Sequence, residues 1–469
     1  MGSKNKSEGV MKNPIKKRMF LMSVLLMFAV SAVLSACGDS AGSNKGGNSG
    51  GGKDDSEKVE IVWVMAADPD KKDWQDAVIA SFEDSHPNVK VRLENIPYDQ
   101  FDQKLTTLIS SGKAPDVWNP NQADSGFATY MKMGALKDLT PYIENGAPEL
   151  KTMDPNLLDI YKIDGKNYGI PLVSNATYLY YNKDLFDAAG LPYPTTDWDD
   201  QSWNFDAMLE TAQKLSHDVG DARKQVFGFS SALSANAMTW MFGGDLFKPE
   251  AYTTGVMGEP DLMKPINIEA LQFNVDLINK YKVAPDAETV AASSQLGDPF
   301  LTGKVGMYIT GGWGLGSYKQ AEFNWGVAAV PYHEGRKVTL YVDPWSISAT
   351  SKHPDEAWEF VRHLADPAEG GGAYRYMNDV GRTPADSSLF RLWYDKMGAE
   401  IGMDPEAFKQ VHEGSIKYGR EAENHLIVQF NTILETMNQS FYQVWSGKRS
   451  VTDGLNVLHD NLLSLKLDH

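Results

Sequence analysis

A single cysteine in 469 residues, Cys37, rules out a disulfide framework and a thiolate metal cluster alike. Positive charge is also in deficit, with 44 Lys and Arg against 62 Asp and Glu and a formal charge of −18. That balance argues against nucleic acid, against a basic membrane-docking face, and against a polyanionic ligand unless a local basic pocket exists. The nine histidines are scattered, none in a His-Glu-x-x-His pattern, so zinc chemistry has little support. Gly312-Trp313-Gly314-Leu315-Gly316 lacks the glycine spacing of a dinucleotide loop. Asp197-Trp198-Asp199-Asp200 lacks the twelve-residue pattern of a calcium loop and reads as a solvated turn. No cofactor is implied. Beyond the first 36 residues no apolar run reaches transmembrane length.

The one long apolar stretch is N-terminal. Lys12, Lys16, Lys17 and Arg18 precede Met19 to Leu34, about 16 residues long, which suits the apolar core of a signal peptide better than a bilayer span. Leu34-Ser35-Ala36-Cys37 closes it and resembles a bacterial lipobox, in which the cysteine exposed by cleavage carries a diacylglyceryl group. Cys37 is therefore the expected lipid attachment site, with residues 1–36 as leader. Those residues hold six Lys or Arg and one Glu, so their removal leaves about −23. Residues 37–57 are nearly all Gly, Ser, Asn, Asp and Lys and cannot bury a core; they read as a tether with a reach of roughly 25 Å.

The remaining body is long enough for two or three lobes. It opens with Val59 to Met65, an apolar run typical of a strand buried on both faces. A helix face follows at Trp74, Val78 and Phe82, then an alternating strand over Val89 to Leu93. A second helix carries Phe101, Leu105, Leu108 and Ile109, ahead of a third strand at Pro115 to Trp118. This is the start of a doubly wound α/β fold, whose ligands sit past the carboxyl ends of the strands. That rule puts Asp68, Asn119, Asn121 and Asp124 on the binding edge. Each also suits a plain turn.

Tryptophan is abundant, with 12 residues. Trp63, Trp118, Trp240, Trp313 and Trp345 fall at expected strand ends or loops, where a flat apolar ring with one N–H suits the C–H face of a sugar. Core packing accounts equally well for any one of them.

Gly165-Lys166-Asn167-Tyr168-Gly169-Ile170-Pro171, followed by Leu179-Tyr180-Tyr181-Asn182-Lys183-Asp184-Leu185-Phe186, resembles the signature of family 1 extracellular solute-binding proteins. Further segments agree in order: Ala114 to Val117, Gly134 to Leu139, Phe300 to Met307 with Gly311-Gly312-Trp313, Ala328 to Pro331, and Ser351 to Val361. These proteins are sugar receptors of ABC importers, similar to maltose-binding protein. The resemblance implies a two-lobed, class II periplasmic-binding-protein-like α/β fold with a ligand cleft between the lobes. Three hinge crossovers are expected near 170–173, 329–332 and 378–384. They divide the body into an N-lobe (58–171, 332–380) and a C-lobe (172–331, 381–469).

It further implies a lipid-anchored monomer on the extracellular face of the membrane, delivering a sugar or oligosaccharide to permease subunits. Trp313, at a glycine-rich strand end, is the first expected stacking ring and Trp240 the second. Asn175 aligns with an acidic sugar-contacting position of the maltose-binding members, and here it is an amide. Asp343, Trp345 and Arg382, the last at the third crossover, complete the candidates. A secreted glycoside hydrolase with two cleft carboxylates, a receptor for another small solute, and a structural lipoprotein are the rival readings.

Overall fold

The computed structural model describes residues 58–217, 225–294, 298–465 and 467. The expected leader and tether, with Cys37, lie outside them.

The strands, in chain order, are β1 (Val59–Ala66), β2 (Val89–Ile96), β3 (Val117–Trp118), β4 (Lys162–Ile163), β5 (Lys166–Asn167) and β6 (Ile170–Asn175). There follow β7 (Thr177–Asn182), β8 (Phe227–Ser231), β9 (Val305–Gly311), β10 (Trp325–Ala328), β11 (Val338–Ile347) and β12 (Gly419–Glu421). One sheet runs β12-β11-β3-β1-β2, with β6 also paired to β11; the second runs β10-β7-β9-β8. β1 is parallel to both β2 and β3, so the carboxyl ends of all three share one edge.

The local reading of the first sheet matches its burial. Ile61, Trp63, Val64 and Met65 are wholly buried, as an apolar run between two helical layers requires. Helix Lys72–Ser85 packs through Trp74, Val78 and Phe82. In the second helix, Phe101–Ser110, Phe101 and Leu105 are buried. The Asn182-Lys183-Asp184 signature proves to be a helix start: Asn182 Oδ1 accepts the Leu185 N–H at 3.1 Å, and Gly190, at φ 64°, ends the helix in the left-handed region.

The chain changes sheet between Asn175 and Thr177, a few residues later than 170–173. β6 remains in register with β11 as far as Asn175 opposite Tyr341, which keeps residues 172–175 on the first sheet. The return passage runs between β10 and β11, through residues 329–337. The third passage also lies beyond the expected segment, because Asp386 still bridges Met153 and takes the Thr152 hydroxyl at 2.8 Å. Helix Pro405–Lys417 then packs on β7 and β10 of the second sheet. Helices Phe430–Trp445 and Val451–Ser464 pack against each other and on helix Pro265–Asn279.

Candidate functional site

A cavity of about 720 Å³ opens at the carboxyl edge of β1–β3, within the usual range of roughly 300–1,000 Å³ for small-ligand clefts. The loops after β1, β2 and β3 bring Asp68, Tyr98 and Asn121 to Asp124 to one wall. The second-sheet side carries Ala232 to Ser234 and Trp313, while Glu423 to His425, which meet Gly126, and helix residues Phe430, Leu434 and Asn438 complete the lining. The floor is formed where strands cross between the sheets: Tyr341 and Asp343 on β11, Asn175 on β6, and Arg382.

Trp313 stands on the glycine-rich end of β9, edge-on to Tyr341 with ring centroids 4.9 Å apart. Its indole lies back over Gly311, where a Cβ would come within 2.1 Å of Trp313 Cζ3. Glycine at 311 is what lets the ring occupy the cleft. Across the cleft Tyr98 is 56% exposed, an aromatic surface on which no ring is stacked among the described residues.

The charges at the floor are arranged in a chain. Asp68 lies 3.3 Å from Lys71 Nζ and 3.6 Å from Arg382 Nη2. Burial pushes the Asp343 carboxyl up to about 6, offset by His425, Lys71 and Arg382 nearby and reinforced by Glu421. Burial and neighbouring Asp102 also raise Asp124, which receives a long hydrogen bond from the Tyr98 hydroxyl at 3.4 Å. Burial raises Glu423, which takes the Ser234 hydroxyl at 2.5 Å. It lowers His425 to about 4, so this imidazole is neutral at pH 7, hydrogen-bonded through Nδ1 to Glu421.

Seven of the ten expected ligand residues border this cavity: Trp313, Asn175, Asp68, Asn121, Asp124, Asp343 and Arg382. Asn121 is occupied with bracing, since its amide donates to the Val342 carbonyl and the Tyr161 hydroxyl, both at 3.0 Å, and accepts from Phe127 N–H. The other three lie elsewhere. Trp240 is wholly buried in the second lobe, its ring covered by the Arg420 guanidinium at 4.6 Å, and Arg420 pairs with Asp245 at 2.6 Å. Trp345 is two residues, about 6.7 Å, beyond Asp343 on β11. There it meets Trp63 edge-on at 5.6 Å in the first-sheet core. Asn119 is buried as a turn former, accepting the Asn121 N–H at 2.8 Å.

Tyr98, Tyr341, Glu423 and the Phe430/Leu434/Asn438 face are cleft residues that sequence reasoning passed over. Tyr98 was within reach, because the strand-end rule applied to β1 and β3 holds equally for β2. The helix face has a readable i, i+4, i+8 spacing, but nothing in the sequence says that it faces a ligand.

Two lobes around a polar, aromatic cleft, with strands passing between them at its floor, define a protein of the two-lobed solute-binding class. The model for bacterial extracellular solute-binding proteins matches residues 68–371, and the chain belongs to that family. A binding protein of Brucella abortus is 27% identical over 289 residues, which cover 61% of this chain and 66%, just under two thirds, of that protein. The maltodextrin-binding protein MdxE of Bacillus subtilis is 24% identical over 421 residues, 86% of this chain and 90% of its own. An ABC substrate-binding protein of Listeria monocytogenes, solved in complex with cycloalternan, superposes with a TM-score of 0.72 at 24% identity. That match covers 87% of this chain and 98% of the other. All three of these relatives are described as binding proteins.

Proposed function

We propose that this chain is the substrate receptor of an ABC importer for a neutral sugar or oligosaccharide, held at the outer face of the membrane by lipid on Cys37. The observation that carries the reading is the composition of the cleft. Aromatic faces at Trp313 and Tyr98 stand on opposite walls, above a floor of carboxylates, an amide and a guanidinium. Rings of this kind cover the C–H faces of a pyranose, while planar polar groups engage its hydroxyls. The acidic excess at the cleft disfavours an anionic ligand. The sugar ligands named for its relatives support the same class. Ligand contacts on both lobes favour the closed form, and that form is what the permease subunits recognise.

A thermal-shift screen of the chain from Gly38 onward against mono- and oligosaccharides tests the reading. Ligand at 100 times its Kd stabilises by about 2.7 kcal/mol. A rise with one sugar class and no product formed supports a receptor. Sugar consumed on incubation moves the assignment to a glycoside hydrolase, and no shift with any sugar moves it to another small solute. For the anchor, Cys37→Ala is expected to move the protein from the membrane fraction to the medium. Retention of the variant in the membrane fraction counts against lipid attachment at Cys37.

A further inference from the structure

Among the described residues, two polar atoms at the cleft floor have no partner, and they are of opposite kind. Asn175 Oδ1 is an acceptor and Arg382 Nη1 a donor, both buried without a hydrogen bond. The two residues are 5% and 9% exposed and border the cleft. Leaving such groups unmade is costly.

A backbone bridge close by brings the two segments together. Val173 bridges Pro384 in the antiparallel sense, and the Ser174 N–H donates to the Thr383 carbonyl at 3.3 Å. Asn175 and Arg382 follow next on the two segments and both line the cleft, and on its other side Asn175 pairs with Tyr341. No hydrogen bond joins Asn175 to Arg382, and Arg382 turns its other terminal nitrogen towards Asp68.

Whatever fills this gap must donate to the amide oxygen and accept from the guanidinium. A carboxylate only accepts and an ammonium only donates; a hydroxyl does both. Water does both as well, and a ligand hydroxyl in its place keeps the two bonds. Asp343 lies two residues along β11 from Tyr341, on the same face. Among the described residues its carboxylate receives no hydrogen bond or ion pair, which leaves it free to accept from a neighbouring hydroxyl.

We propose that Asn175, Arg382 and Asp343 form a specificity-determining floor that reads a vicinal diol on the deepest ring of the ligand. One hydroxyl bridges Asn175 Oδ1 and Arg382 Nη1, and its neighbour donates to Asp343. The inference rests on the sugar-receptor reading and narrows it to rings whose diol is unsubstituted. Asn175 ends the last strand before the first passage, Asp343 lies after the second, and Arg382 precedes the third. The diol thus ties together the segments between which the lobes rotate.

Calorimetric titration with maltotriose, cycloalternan and galactotriose identifies the tightest of these probes for the wild type. That probe is then titrated into Asn175→Ala, Arg382→Met, Arg382→Lys and the Asn175→Ala/Arg382→Met double variant, each checked for folding by its Tm. The expected losses are roughly 10-fold for Asn175→Ala and roughly 10- to 100-fold for Arg382→Met, with partial recovery in Arg382→Lys. The double variant is expected to bind no more weakly than Arg382→Met alone, because one hydroxyl serves both side chains. Undiminished affinity in folded variants overturns the diol floor alone, and additive losses overturn the shared hydroxyl. A wild type that responds to no mono- or oligosaccharide in the thermal-shift screen removes the sugar reading and this inference together, and where another sugar is the hit, that sugar replaces the probe.

Discussion

Trp313 and Tyr98 face the same cavity under different constraint. Trp313 is pinned between Gly311 and Tyr341, so it offers a preset surface, whereas Tyr98 is open to solvent at the lip. Trp313→Ala is expected to weaken sugar binding by about 1–3 kcal/mol, by analogy with other ring-stacking contacts. Unchanged affinity on calorimetry with an unchanged Tm removes the ring from the site. Beneath the crossover segments, His412 sits in an aromatic cage with Trp393 at 4.9 Å, and its Nδ1 is hydrogen-bonded to the Tyr178 hydroxyl at 2.7 Å. Burial lowers this imidazole to about 3 from an ordinary 6.5. The unfolded chain therefore takes up a proton that the folded chain refuses, and the stability held above pH 6.5 is lost progressively as pH falls towards 3. Asp343 acts in the opposite sense. Its folded value of about 6 exceeds the ordinary 3.8, so its burial penalty is relieved as pH falls between those values. His412→Phe should flatten the decline of Tm below pH 6.5, and Asp343→Asn should steepen it. Parallel Tm profiles for all three proteins contradict both assignments.

Among the elements, β11 does most to build the site. It pairs with β12, β6 and β3 in turn, and its middle carries Tyr341 and Asp343 into the cleft. A second element-level contact crosses the cavity wall. Gly126, at φ +70°, starts the helix that follows the β3 loop, and a Cβ there would lie 1.7 Å from the Asn424 carbonyl oxygen. Thr129 on the same helix accepts the Gln429 N–H at 2.9 Å. Gly126→Ala combines a left-handed backbone with an overlap against main chain, and should destabilise by more than about 1 kcal/mol. It should also weaken ligand binding, because Glu423 to His425 would be displaced from the cleft wall. A variant with wild-type Tm and affinity shows that this junction can yield. The first-sheet strands and the helix faces at Trp74/Val78/Phe82 were legible because period and burial coincide there. The ends of the crossovers were not, since their limits depend on how far β6 stays in register with β11.

For the molecule as a whole, residues from both sheets line one cavity, so ligand contacts on both sides bias one relative arrangement. Small-angle scattering should show a smaller radius of gyration when a binding sugar is added to the wild type. It should show a lesser decrease for Trp313→Ala at the same sugar concentration. A radius that does not change at saturating ligand argues against closure as the transport signal.

Composition, periodicity and motif order were enough to indicate the α/β architecture, the acidic, thiol-poor body and a set of loops at one sheet edge. These properties are local, set by the alternation of side chains and by the residues that start and stop each element. Selection among the aromatic and polar candidates came only with tertiary structure. Trp240, Trp313 and Trp345 look alike in sequence, and the choice among them turned on what each ring meets: Arg420 for Trp240, the open cleft for Trp313, and Trp63 for Trp345. The meeting of Asn175 and Arg382 in one cavity, more than 200 positions apart, likewise follows from long-range pairing that no local pattern encodes.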